Sequence, residues 1–138
     1  MRSAAATALG KFSLLVQEGK LLPKDRESIH NSLMDTLNDS DQPLDVRRRS
    51  LEAVAPFNTG AIRKMVSWAY ESEDLALKSS SIFAMGRTGE STWLPLLIKE
   101  LRSPEPTIRY ETANACGELG EEDAVPHLVA LLQDDDYQ

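Results

Sequence analysis

Two histidines and one cysteine are the residues of this chain best suited to hold a metal or attack an electrophile. His30 is followed by Asn31 and His127 by Leu128, so neither stands beside a carboxylate as a helix-borne metal site requires. Cys116 is alone, which excludes an internal disulfide and a cysteine-based zinc site. No base is matched to it, so a buried structural thiol is expected. Ser79, Ser80 and Ser81 supply hydroxyls without a catalytic partner. The run Gly86-Arg87-Thr88-Gly89 is too short to cradle a phosphate. No catalytic constellation is legible, and no cofactor or metal is expected.

Composition sets wider bounds. The 138 residues are 41% hydrophobic and 27% charged, an ordinary folded composition without a disorder signature. The net charge of −7 suits a phosphate backbone poorly, and Arg47-Arg48-Arg49 is the one local basic cluster. No apolar run reaches the length of a membrane span; Trp93 to Ile98 is broken by Pro95 and closed by Lys99 and Glu100. The start lacks the apolar stretch of a secretory signal, and a cytoplasmic location is expected.

The elements that position these residues emerge from an internal repeat. Ile108-Arg109-Tyr110-Glu111-Thr112-Ala113-Asn114-Ala115-Cys116-Gly117 matches Leu77 to Gly86, 31 residues earlier, and Val46 to Ala55, 31 earlier again. The template is an aliphatic residue, a base, small residues three and six positions after the base, an apolar residue, then Gly or Ala. Arg2, Ala5, Ala8, Leu9 and Gly10 fit it once more, 45 residues before Arg47 and its successors. Gly89 and Gly120, Glu90 and Glu121, Pro95 and Pro126, Leu97 and Leu128, and Leu101 and Leu132 keep the same 31-residue register.

Each half of the repeat reads as a helix. Leu94, Leu97, Ile98 and Leu101 share one face. Pro95 and Pro126 fall in a first turn, where a missing N–H is harmless. The glycines at 89 and 120 allow a left-handed turn, and Asn58 holds the equivalent position with the next best residue type. The extra residues between Gly10 and Leu37 should lengthen a first helix or add a loop. Trp68 and Trp93 fall on first helices and are read as packing residues.

The string of base, small, small and apolar-Gly, followed by Ala124-Val125-Pro126-His127-Leu128-Val129-Ala130-Leu131-Leu132, closely resembles the HEAT-like repeats of the phycobilisome-lyase type. The resemblance covers essentially the whole chain and is best from Asp74 onward. It implies that Arg47, Lys78 and Arg109, with Asp74 and Glu105 four residues before the latter two, form a structural ladder tying neighbouring units together. It also implies a concave face of second helices, on which Arg48, Glu52, Phe83, Tyr110 and Asn114 are the candidate partner-binding residues. One HEAT-like enzyme family, deoxyhypusine hydroxylase, binds iron through His-Glu pairs; this chain has none, and that reading is rejected.

The expected architecture is therefore all-α: an α-solenoid, a right-handed superhelix of stacked antiparallel hairpins with about eight helices. It is expected as one domain over 1–138, with a second helix at 2–18, hairpins at 25–56, 60–87 and 92–118, and a lone first helix at 123–133. The register starts inside a hairpin and Asp134 to Gln138 reads as an inter-helix turn, so a piece of a longer solenoid is expected. Its uncapped ends should expose apolar surface and favour self-association. The expected function is a non-enzymatic scaffold that binds a protein partner through a few anchors. The alternatives are a component of a bilin lyase system for chromophore attachment and a nucleic-acid-binding module.

Overall fold

The computed structural model describes residues 1–135 and is built from eight α-helices among them. They are α1 (Arg2–Gln17), α2 (Pro23–Asn38), α3 (Leu44–Val54), α4 (Gly60–Tyr70), α5 (Leu75–Thr88), α6 (Leu94–Glu100), α7 (Pro106–Leu119) and α8 (Val125–Leu131). The pairs α2/α3, α4/α5 and α6/α7 are antiparallel hairpins. The second helices α1, α3, α5 and α7 pack side by side in that order, and each first helix packs on its hairpin partner. The all-α solenoid expected from the repeat is the architecture found. The final turn read from Asp134 to Gln138 lies partly outside the described residues.

Local chemistry explains where helices start and stop. Asp74 caps α5 by accepting the Leu77 N–H at 2.8 Å, and the Thr59 hydroxyl accepts that of Ile62 at the head of α4. Proline opens α2, α6 and α7 at the first or second position. A single 3₁₀ turn precedes α6 and α8, and another follows α3 at Ala55–Phe57. Asn58, Gly89 and Gly120 adopt φ of 49°, 69° and 67°, so the shared register position is a left-handed helix terminator in each unit. The surplus before Leu37 is taken up by two 16-residue helices, α1 and α2, joined by a turn at Gly19 with φ of 64°.

The core runs along the stack and not around a centre. Leu37, Leu51, Val54, Ile62, Val66, Ile82, Met85, Leu97 and Ile108 are fully buried and belong to one continuous cluster. Small residues set the spacing of the second helices. A Cβ on Gly86 would lie 2.8 Å from the Ala115 Cα, and one on Gly10 would lie 3.2 Å from the Ala53 Cα. Backbones that approach this closely leave room for hydrogen alone, which is why the position takes glycine in those joints.

The described helices contain no segment long and apolar enough to cross a membrane.

Candidate functional site: the groove around Phe83

Three register columns run along one face of the second helices. Arg49, Ser80 and Glu111 form the first, Glu52, Phe83 and Asn114 the second, and Pro56, Arg87 and Glu118 the third, each spaced by 31 residues. Within one helix the columns sit at i, i+3 and i+7, so they share a face. Phe83 on α5 is the centre. The guanidinium carbon of Arg87, one turn on, lies 5.1 Å from its ring centroid. On the α1/α3 side Phe83 borders a pocket of about 180 Å³ with Lys11, Arg49, Glu52 and Arg87. On the α7 side it borders an open cavity of about 570 Å³ with Arg87, Glu111, Asn114 and Glu118.

Charge alternates around the ring. Arg49 donates to Glu52 at 2.8 Å, and the Ser80 hydroxyl donates to the other Glu52 oxygen at 2.6 Å. Arg87 pairs with Glu118 at 3.4 Å. Burial, and next the like charge of Glu52, push the Glu111 carboxyl above its ordinary value; Arg49 and Arg87 offset this in part. Two carboxylates thus flank an aromatic face that already carries a cation. A positive side chain between Glu52 and Glu111 would meet two carboxylates, in competition with Arg49 on Glu52 and Arg87 over Phe83. An anionic one would meet Lys11, Arg49 and Arg87 on the opposite flank.

Of the expected binding residues, Glu52 and Phe83 come together here. Asn114 lines this groove and the next one along. Arg48 pairs with Asp45 at 2.6 Å, donates to Ser80 at 3.4 Å and lies 3.8 Å from Glu52, but lines neither cavity. Tyr110 sits elsewhere: it is half-exposed in a groove of about 360 Å³ between α7 and α8. The residues one place after the base, Arg48 and Tyr110, do not line this groove. Lys11, Arg49, Arg87, Glu111 and Glu118 were missed, although the Arg49, Glu52, Pro56 spacing marks their stripe.

The expected ladder residues have other partners than each other. Arg47 donates to the Leu37 carbonyl at 2.9 Å and covers the Trp68 ring at 5.0 Å. Lys78 pairs with Glu100 at 3.2 Å, and Arg109 with Asp134 at 2.7 Å, each reaching into the following unit. Asp74 is spent on the α5 cap. Glu105 is the residue before α7 and makes no side-chain cap bond. A carboxylate four residues before a base lies at the helix mouth, and a backbone N–H claims it at Asp74 but not at Glu105.

The remaining candidates do not converge. The His30 Nδ1 meets the Asn31 Oδ1 at 3.0 Å, its ring stacks edgewise on Phe57, and its Nε2 is buried without a hydrogen-bond partner among the described residues. His127 lines an outer cleft with Pro95, Lys99 and Glu105, far along the stack. Among the described residues no group of three or more His, Cys, Asp or Glu could hold a metal ion. An iron site built on His-Glu pairs is therefore not one these residues fit. Cys116 is buried, and burial raises its thiol pKa. Ser81 donates to the Lys78 carbonyl at 2.6 Å, a bond within its own helix.

Residues 62–138 match the sequence profile of HEAT repeats, more than half of the chain. The chain belongs to the HEAT-repeat family. Over 100 residues it is 31% identical to the deoxyhypusine hydroxylase of Drosophila melanogaster, covering 71% of this chain and 33% of that protein. The rat deoxyhypusine hydroxylase is 29% identical over the same share of the chain, and that of Candida albicans 26% over 83%. The chain spans about a third of the length of these curated relatives.

These likenesses correct the functional expectation. A non-enzymatic scaffold was inferred from the lack of a catalytic constellation, yet relatives from insect, mammal and yeast all carry the name of one enzyme. The physical reason is the architecture. A solenoid distributes its functional side chains over many repeats, so a HEAT segment can lack the catalytic set of an enzyme it resembles. The missing His-Glu pairs describe this segment's residues and do not separate it from that family of proteins. The phycobilisome-lyase subtype gains no support from these relatives, while the HEAT repeat itself does.

Proposed function

We propose that this HEAT segment serves an enzyme that acts on deoxyhypusine, and that its part is to engage the substrate through the groove around Phe83. The observation that carries the reading is the name shared by the relatives at 26–31% identity. The groove supports it chemically. Deoxyhypusine is a lysine derivative whose extended side chain bears amines, and such a chain carries positive charge at neutral pH. Glu52 and Glu111 on either side of Phe83 offer two carboxylates and an aromatic face to it. The Arg87 guanidinium covers that ring, so an incoming amine would have to take its place there, with Arg87 turning toward Glu118. The reading assigns this segment binding and orientation and no step of the oxidation, since its histidines do not fit a metal site.

The test is direct binding. A labelled peptide carrying deoxyhypusine is titrated with the chain, beside the same peptide carrying unmodified lysine. Preference for the modified peptide by about tenfold is expected, the worth of one additional charge-assisted contact. Glu52→Gln and Glu111→Gln should remove that preference. Equal affinity for both peptides would overturn the proposal.

A further inference from the structure

The outer cleft that His127 lines stands apart from the groove around Phe83. Its walls come from α5, α6, the α6–α7 turn and α8, so it lies between consecutive units and is not a face of either end of the stack. Its volume is about 720 Å³. Leu75 is half-exposed and Ile98 half-buried, and with Pro104 they give the cleft an apolar wall. Lys99 and Arg102 stand exposed at its rim. Each is an exposed cation with no ion pair among the described residues.

The repeat register sets this unit against the one before it. Pro95, Ile98 and Pro104 stand where the preceding unit has Lys64, Ser67 and Glu73, so three polar positions have become apolar. Charge reverses at the rim. Arg102 replaces Glu71, and Lys99 replaces Trp68, whose ring Arg47 covers. The earlier hairpin turns along this edge are acidic: Asp39 and Asp41 lie between α2 and α3, and Glu71, Glu73 and Asp74 between α4 and α5, all exposed. Within the cleft, Glu100 is already bound by Lys78 and by the Tyr70 hydroxyl, which leaves Glu105 as the opposing carboxylate of the lining. Packing does not call for these exchanges, because the preceding unit stacks without them.

We propose that this cleft docks an acidic segment of a partner protein, with one apolar side chain against Leu75, Ile98 and Pro104 and carboxylates on Lys99 and Arg102. Burial of the apolar wall supplies affinity, and the two cations fix where the segment lies. The acidic turns of the preceding units repel the same segment and confine it to this unit. A nucleic acid fits less well, since two cations in a chain of net charge −7 neutralise few phosphates.

The experiment is fluorescence anisotropy with the whole chain and a short labelled peptide in which glutamates flank one leucine. Saturable binding is expected, weakened about tenfold when the glutamates become glutamines and about tenfold when the leucine becomes alanine. Lys99→Glu/Arg102→Glu should also lower affinity about tenfold. Lys20→Glu/Lys24→Glu, which changes net charge equally at exposed positions outside the cleft, should leave it unchanged. Ile98→Ser puts the preceding unit's residue in the wall, so the variant should fold, and it should weaken the leucine peptide but not the alanine one. Circular dichroism checks the fold of each variant. Equal weakening by the two charge reversals would overturn the proposal, since attraction would then be general and not seated in the cleft. So would a peptide that never saturates the chain, or a single-stranded oligonucleotide that binds more tightly and is lost on Lys99→Glu/Arg102→Glu.

Discussion

The ε-ammonium of Lys78 lies 3.2 Å from the carboxylate of Glu100, and this pair ties the second helix of one hairpin to the first helix of the next. Glu100 is only 6% exposed, a rare setting for a charge unless it is paired. It also accepts the Tyr70 hydroxyl at 2.5 Å, while Lys78 stands 4.9 Å above the Tyr70 ring. Three hairpin elements, α4, α5 and α6, therefore meet at one carboxylate. Burial and Glu100 together raise the Tyr70 hydroxyl pKa, so the phenol stays a donor.

Removing that carboxylate should loosen the stack. Glu100→Ala leaves a half-buried ammonium and a phenol without acceptors, and should cost about 2–3 kcal/mol in urea unfolding. Tyr70→Phe removes one bond and should cost about 1 kcal/mol. In the Tyr70→Phe background the Glu100→Ala cost should shrink, since one of its contacts is already gone. Equal costs in both backgrounds would mean that the hydroxyl contributes nothing.

Two glycines at one register position should respond to alanine in opposite senses. At Gly86 the new methyl group meets the Ala115 backbone at 2.8 Å, so the α5/α7 joint must open. Overpacking of this kind costs about 1–3 kcal/mol. At Gly117 the methyl group meets nothing within 4 Å, and alanine is the better helix former by up to about 1 kcal/mol. Thermal unfolding of Gly86→Ala and Gly117→Ala at low protein concentration measures both. A stabilised Gly86→Ala would refute the close-packed joint.

The repeat was legible because packing writes it into the chain. Gly89, Gly120 and Asn58 appear at one register position since each must end a helix with positive φ, and few residue types do so. The core likewise follows from the alternation of small and aliphatic residues at 50, 81 and 112 and at 46, 77 and 108. The groove was less legible. Glu52 and Phe83, five places after their bases, share a pocket, whereas Tyr110, one place after its base, was grouped with them and lies in another groove. The distinction between residues one and two places after the base is a rotation of about 100° around the helix, which a repeat template does not encode. The enzyme relationship was hidden for a different reason. The lack of His-Glu pairs is a property of side chains in these repeats, whereas the likeness to deoxyhypusine hydroxylases rests on the repeat frame around them.

The carboxyl of Glu111 should make stability fall with rising pH. Its folded-state pKa is raised, chiefly by burial and then by Glu52, against the opposing pull of Arg49 and Arg87. The folded state therefore holds a proton that the unfolded state has lost in the interval above about pH 4.3. Stability from this group is complete below the unfolded pKa and is lost as pH rises through the folded one. Glu111→Gln should accordingly raise the melting temperature at pH 7 and leave it close to wild type near pH 4. A variant equally stabilised at both pH values would show that charge is not the cause.

Asn58 offers a way to separate backbone strain from side-chain bonding at the hairpin turn. It holds φ of 49°, the left-handed region that costs an ordinary residue about 1–2 kcal/mol. Its side chain also works: Nδ2 donates to Glu90 at 2.5 Å, and Oδ1 accepts from Arg63 at 3.2 Å. Asn58→Gly loses those bonds but relieves the backbone, while Asn58→Ala loses the bonds and strains the backbone further. Both variants should be less stable than wild type, or the glycine variant nearly equal to it, with alanine lower than glycine by about 1 kcal/mol. Since both lack the amide, the gap between them reports φ alone. Chemical denaturation of the two variants side by side measures it. Equal stability would mean that the turn relaxes out of the left-handed region once the amide is gone. The bonds to Glu90 and Arg63 would then hold the conformation, and the backbone would not demand it.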